Sequence, residues 1–166
     1  MTLKNVLKRS GIFILDLFEV YIPVTAFLIM FCIFVLQIFF RYFLNHPLTW
    51  PYEVTLFGYI WTVLLGATLA RRYGTHVVFS MLYDKISPLG QLAFRLGGNF
   101  LILAAFSISL YPCYSYVEFM KIQRSAALRI PFSIAFAPYI PFVILIIGHT
   151  AYDIVADIRK LVRKGR

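Results

Sequence analysis

Four long stretches without a charged residue constrain the fold of this chain more than any other feature. They cover residues 20–40, 54–70, 96–117 and 130–152, and they are 21, 17, 22 and 23 residues long. A helix of about 20 apolar residues crosses a hydrocarbon core roughly 30 Å thick. None of the four stretches has the polar stripe that helices of soluble bundles show. The sequence therefore predicts an all-α integral membrane protein with four transmembrane helices.

The composition agrees with a membrane protein. Of the 166 residues, 61% are apolar and 14% are charged, whereas soluble domains have about 45–50% and about 25%. We expect a single membrane domain over residues 1–166. Its spans are predicted at about 20–40, 51–70, 96–117 and 130–152, and a basic cytoplasmic tail at 153–166.

The distribution of the basic residues predicts the orientation. With four spans, both termini and the central loop lie on one side of the membrane, and that side holds 12 of the 16 lysines and arginines. The other side holds Arg41, Lys121, Arg124 and Arg129. By the positive-inside rule, the N- and C-termini are predicted to be cytoplasmic. The net charge of +9 therefore does not call for a nucleic-acid partner.

Residues 3–19 are predicted to form an amphipathic helix in the cytoplasmic interface. The basic start and the apolar run lack a small-residue cleavage site, so we expect a retained anchor rather than a cleaved signal peptide. At about 100° per residue, two faces separate. The apolar face carries Leu3, Val6, Leu7, Phe13, Ile14, Leu17 and Phe18, and the polar face carries Lys4, Lys8, Arg9, Asp16 and Glu19.

The polar residues offer little chemistry. All seven acids lie outside the four uncharged stretches, although ion-coupled carriers usually need an ionisable group within the bilayer. Cys32 and Cys113 lie inside spans, where a free cysteine packs as a small hydrophobe. We expect neither an enzyme nor a complete transporter, and no catalytic, metal or cofactor site in this chain.

Two other classes of four-helix membrane protein remain as alternatives. A small exporter would need a carboxylate within the membrane, which the uncharged spans do not supply. A membrane cytochrome or quinone-reactive enzyme would need facing histidines at matched depths. The three histidines are predicted in the outer loop, the inner loop and the inner end of the last span, at His46, His76 and His149.

Glu53 stands at the predicted start of the second span. Pro51 suits the first turn of a helix, and an acid there favours the positive end of the helix dipole. Trp50 and Tyr52 are typical of the headgroup level. Glu53 is therefore interpreted as part of a helix start at the outer interface, with contact to a partner protein left as the alternative.

Small residues recur every four positions along the second span. Gly58, Thr62, Gly66 and Ala70 would let another helix backbone approach closely. That helix could belong to this chain or to a partner.

In the fourth span, Pro131 fits a helix start, whereas Pro138 and Pro141 lie inside the helix and each removes a backbone hydrogen bond. We expect that helix to be kinked and packed against protein.

Two segments resemble a known family. The stretch "FRYFLNHPLTWPYEVTLFGYIWTVLLGATLARRYGTHV", residues 40–77, is similar to the signature of the small membrane subunit (Q subunit) of TRAP transporters, the tripartite ATP-independent periplasmic carriers. The stretch "SAALRIPFSIAFAPYIP", residues 125–141, resembles the entry into the last helix of that family. Members often have two acids after the tryptophan, whereas here Tyr52 precedes a lone Glu53.

The resemblance implies a multi-pass subunit of the bacterial inner membrane that braces a large subunit, M. The M subunit would carry the sodium and substrate sites, and a periplasmic binding protein would deliver an organic acid such as a C4-dicarboxylate or sialic acid. Membrane lipid is the remaining partner.

Three sets of residues are then expected to make functional contacts. The partner interface is predicted at Trp50, Glu53, Gly58, Trp61, Thr62, Gly66 and Ala70, docking of the binding protein at Lys121, Arg124 and Arg129, and cytoplasmic anchoring at Arg71, Arg72 and His76.

Overall fold

The described part of the chain is mainly helical. A computed structural model describes residues 11–73 and 88–164. Helix α1 is Gly11–Tyr42, α2 is Trp50–Arg72, α3 is Pro88–Phe119, α4 is Phe132–Phe136 and α5 is Tyr139–Lys164. The first part of the predicted amphipathic segment, the central loop and His76 lie outside the described residues.

The prediction of four membrane-spanning helices is confirmed. Four helical segments are long and apolar enough to cross a bilayer: α1, α2, most of α3, and the combined segment Phe132–Arg159. Each helix extends beyond its uncharged stretch because the absence of charge marks only the part in contact with hydrocarbon. In particular, α5 continues through the predicted tail as far as Lys164.

Helix α1 runs without a break from the amphipathic segment into the first span. Leu17–Tyr21 forms a π-helical turn, in which the N–H of Ile22 donates to the carbonyl oxygen of Leu17. Pro23 follows at once and has no N–H to donate back to Glu19, the residue four positions earlier. A wider turn accommodates this missing bond. Within residues 11–19, the polar face therefore belongs to the spanning helix itself.

A proline splits the fourth span, as its sequence suggests. Helix α4 ends at Phe136, and α5 begins at Tyr139 after Pro138. Because Pro138 lacks an N–H, the carbonyl of Ile134 loses its helical donor. The indole Nε1–H of Trp61 in α2 donates to that oxygen at 3.0 Å. The freed carbonyl is thus satisfied by a neighbouring helix, in agreement with the expectation that this kinked span packs against protein.

The long helices contact each other in the spatial order α1, α2, α5, α3. Helix α2 packs against α1 and α5, and α3 packs mainly against α5, which leaves α1 and α3 at the two flanks. Few apolar side chains are fully buried among the described residues; Leu65, Ala135 and Val143 are the most enclosed. Many large apolar side chains along the spans are exposed. Such a layer presents two broad apolar faces to its surroundings.

Candidate functional site: an ionic network and two exposed surfaces

Charged side chains from all four spans meet at one end of the layer, the end that the charge distribution predicts to be cytoplasmic. The N-terminal part of α1, the C-terminal end of α2, the N-terminal part of α3 and the C-terminal half of α5 converge there. We call this set the ionic network; it comprises Asp16, Glu19, Arg71, Arg72, Arg95, Asn99, His149, Asp153 and Asp157.

Glu19 forms the most deeply buried part of the network. Its side chain is 0% exposed. One carboxylate oxygen accepts a hydrogen bond from Nη1 of Arg72 at 3.1 Å, and the other contacts Nε2 of His149. Nη1 of Arg72 also donates to Asp16 at 2.6 Å. A buried carboxylate is tolerated only when it is paired and hydrogen-bonded, and this arrangement joins α1, α2 and α5.

The rest of the network joins α3 to the other helices. Arg71 in α2 donates to Oδ1 of Asn99 in α3 and forms an ion pair with Asp153 in α5 at 3.2 Å. Arg95 in α3 holds Asp157 in α5 through two bonds, of which the one from Nε measures 2.7 Å. Asp157 is almost fully buried. Together these pairs connect every span at one end of the layer.

The sequence assigned a simpler role to two members of the network. Arg71 and Arg72 were predicted as cytoplasmic anchors, and that role stays a prediction. The structure shows in addition that their side chains are largely covered, with 17% and 27% exposed, and that both bridge helices. The signal for this was present: acids precede the first span and follow the fourth, and arginines follow the second and precede the third. In an up-and-down arrangement those four ends meet.

At the opposite end of the layer, Glu53 lies in the first turn of α2 and also binds the loop that precedes α4. Oε1 accepts the N–H of Ala127 at 2.7 Å, and Oε2 accepts the N–H of Leu128 at 2.9 Å. The loop between α3 and α4 is ordered further by Ser125, whose N–H donates to the carbonyl of Ile130 and whose hydroxyl accepts the N–H of Ile130. The lone acid at the start of α2 therefore fixes a loop more than 70 residues away.

We expect Glu53→Gln to loosen this loop without harming insertion into the membrane. Glutamine keeps one acceptor oxygen but places an amide donor against the second backbone N–H. Amide hydrogen exchange at Ala127 and Leu128 should become several-fold faster. Glu118→Gln is the matched control, because Glu118 is an exposed acid that pairs with Lys121. Equal exchange in both variants would contradict the clamp.

The ladder of small residues in α2 divides into an inward and an open part. A Cβ atom at Gly58 would lie 2.9 Å from Cβ of Met30 and 3.2 Å from the carbonyl oxygen of Ala26, both in α1. A Cβ atom at Gly66 would meet no atom of residues 11–73 and 88–164 within 4 Å. Eight residues advance the helix by about 80° beyond whole turns, so the two glycines face different directions.

Some of the other residues predicted at a partner interface already make hydrogen bonds within this chain. The hydroxyl of Thr62 donates to the carbonyl of Gly58 at 2.7 Å and lies 3.4 Å from that of Pro23. Trp61 bonds α4 as described above. Trp50 and Ala70 are partly exposed. Contact of these residues with a partner stays a prediction, and Gly66 offers the most open approach.

The three basic residues predicted for docking are all exposed on the loop that Glu53 holds. Lys121 lies 3.6 Å from Glu118. Arg124 pairs with Pro131 in an isolated β-bridge, and Arg129 has a left-handed φ of 54°. Clamped at its backbone, the loop presents these side chains to the space outside the membrane layer.

Two comparisons with known proteins bear on this arrangement. The family model described as "Tripartite ATP-independent periplasmic transporters, DctQ component" matches residues 30–160. A protein of Haemophilus influenzae named "Putative TRAP transporter small permease protein" is 28% identical over 88 residues, which are 53% of this chain. The chain spans about half the length of this curated relative, because the match covers 50% of it.

Proposed function

The chain belongs to the DctQ component family of tripartite ATP-independent periplasmic (TRAP) transporters, and from that membership we propose that it is the small permease subunit that braces a large transport subunit. The family is a transporter component rather than an enzyme, and it is integral to the inner membrane. The proposed partners are the large membrane subunit and a periplasmic binding protein.

One observation carries the bracing role. The ionic network connects all four spans at one end, and at the opposite end Glu53 ties α2 to the loop between α3 and α4. The spans leave many large apolar side chains exposed. In a bilayer such surface can face lipid or the helices of a partner, and small residues such as Gly66 let a partner helix approach closely. A fixed layer with open faces supports a static scaffold.

Co-purification tests this role. The large subunit should be retained by the tagged small chain from membranes that contain both, and uptake should be lost when the small chain is omitted. A four-helix exporter acting alone would instead transport without the large subunit. Transport at the normal rate by the large subunit and binding protein alone would also refute the scaffold.

We extend the proposal to the transported compound and its driving ion. The resemblance of residues 40–77 to the Q subunit supports an organic acid, such as a C4-dicarboxylate or sialic acid, carried together with sodium by the large subunit. Uptake of labelled succinate and sialic acid by the reconstituted three components, with and without a sodium gradient, separates these cases. Uptake that does not respond to sodium would overturn the coupling.

The exposed basic loop is proposed to help the binding protein dock. Complementary charge mainly raises the association rate and makes it depend on salt. Reversal of Lys121 and Arg124 to glutamate should therefore slow uptake most at low ionic strength. The measurement is the uptake rate over a salt series, with Arg129 left unchanged because its left-handed backbone would confuse the result. Equal rates at every salt concentration would eliminate this role.

A further inference from the structure

Two adjoining clefts lie at the outer ends of α1 and α2. The larger, of about 480 Å³, lies between the two helices. The smaller, of about 300 Å³, reaches towards the connection that follows α1 and is lined by Asn45, Pro47 and Leu48. Gln37 and Arg41 line both clefts. These two polar side chains of α1 therefore stand at the junction of an otherwise largely apolar space.

Arg41 brings a positive charge to this junction. Among residues 11–73 and 88–164, its guanidinium forms no ion pair with an acid. The nearest described interaction is with the ring of Tyr42, whose centroid lies 5.8 Å from Cζ. A guanidinium presents several N–H donors in a planar fork that suits phosphate oxygens. The cleft therefore offers an anion-binding group at its polar edge.

The lining changes in a fixed order with depth. Gln37 lies one helical turn below Arg41, about 6 Å deeper, and Phe34 lies about 10 Å below Arg41 at 1.5 Å per residue. Phe34 and Ile38 supply apolar surface to the larger cleft. Tyr52 lies on its α2 side, and tyrosine is enriched at the headgroup level of membranes. Cation, amide and apolar surface follow one another as phosphate, ester and acyl chain do in a phospholipid.

We propose that this outer cleft is a binding site for one phospholipid molecule. The headgroup phosphate accepts hydrogen bonds from Arg41. The amide of Gln37 hydrogen-bonds to a glycerol ester, and an acyl chain lies over Phe34 and Ile38. Charge complementarity and the order of the lining argue for lipid rather than a protein segment. The site does not depend on the scaffold role. Helix α2 contributes Tyr52 and Thr55 to the lining of the larger cleft, but none of the lining residues belongs to the predicted partner interface.

Photo-labelling of the purified protein tests the site. The probe is phosphatidylglycerol with a photoreactive group in its acyl chain, and labelled peptides are mapped by mass spectrometry. Label should concentrate in residues 34–55. Arg41→Gln should reduce it by about tenfold, the effect of losing one hydrogen bond to a charged group. Arg41→Lys should keep most of the label, and Arg159→Gln, an exposed cation at the other end, should keep all of it.

Competition on the unaltered protein keeps the test decisive if a variant fails to fold. Unlabelled phosphatidylglycerol should displace the probe, whereas diacylglycerol, which lacks the phosphate, should not. Label spread evenly over the spans and unchanged in Arg41→Gln would mean bulk lipid only and would overturn the proposal. Displacement by inorganic phosphate alone would show a free-anion site instead. Label that disappears when the large subunit is bound would assign the cleft to that protein.

Discussion

Glu19→Ala is expected to destabilise the folded chain by about 3–5 kcal/mol, the cost of breaking a buried pair by removing one partner. Glu19 is fully buried and joins Arg72 of α2 to His149 of α5. Without the Glu19 carboxylate, the guanidinium of Arg72 keeps its hydrogen bond to Asp16, and His149 loses its contact with Glu19. Because α1 is a flank of the layer, its remaining contacts are mainly with α2.

The measurement is unfolding in mixed micelles, followed by helical content and by the accessibility of Cys32 in α1. Asp16→Asn is the matched control, since Asp16 binds the same nitrogen of Arg72 but is 36% exposed, and such pairs contribute about 0–1 kcal/mol. A Glu19→Ala variant no less stable than Asp16→Asn would show that the network does not hold α1 in place. A double-mutant cycle with Arg72→Gln then isolates the coupling between Glu19 and Arg72.

The same substitution at two glycines of α2 should give opposite phenotypes. Gly58→Leu places a side chain where even a Cβ atom would lie 2.9 Å from Met30, so α1 and α2 must separate. Overpacking of this kind costs about 1–3 kcal/mol, and we expect low abundance of the isolated subunit. Gly66→Leu adds its side chain to open space and should leave the isolated subunit intact, because leucine also favours the bilayer.

The partner separates the two variants further. If the open face at Gly66 meets the large subunit, Gly66→Leu should be present at normal abundance, co-purify poorly and lose uptake in proportion. Subunit abundance and co-purification are therefore measured side by side. Depletion of the isolated Gly66→Leu protein would place this face inside the chain, and complete assembly with normal uptake would remove Gly66 from the interface.

The sequence predicted the spans well because their signal is local. Each uncharged stretch decides its own membrane segment, and the prolines of the fourth span predicted the break that separates α4 from α5. The partners of the polar residues were harder to predict, because they depend on which helices are neighbours. Glu53 looked like part of a helix start from its own surroundings, yet both of its oxygens bind a loop that follows α3.

The ladder shows a second limit of sequence reasoning. Spacing by four correctly indicates a surface that permits close approach, but it carries no information about which side of the helix is already occupied. Met30 occupies the side of Gly58, whereas no atom of the described residues lies within 4 Å of a Cβ atom placed at Gly66. The ionic network combines both limits. Its arginines and carboxylates lie just outside the uncharged stretches, where solvent exposure is the ordinary expectation, and only the order of the helices brings Glu19 and His149 together.

The separation of Glu19 and His149 along the chain has a consequence for biosynthesis. The two residues are 130 positions apart, and ribosomes add about 5–20 residues per second, so roughly 7–26 s pass between them. Throughout that time the carboxylate of Glu19 can pair with Arg72 but has no His149 to contact, and a charge whose partners are incomplete avoids hydrocarbon. We expect the N-terminal part of α1 to stay at the membrane surface during synthesis and to pack against the other helices only after α5 has been inserted. Helix α5 therefore completes the packing of α1.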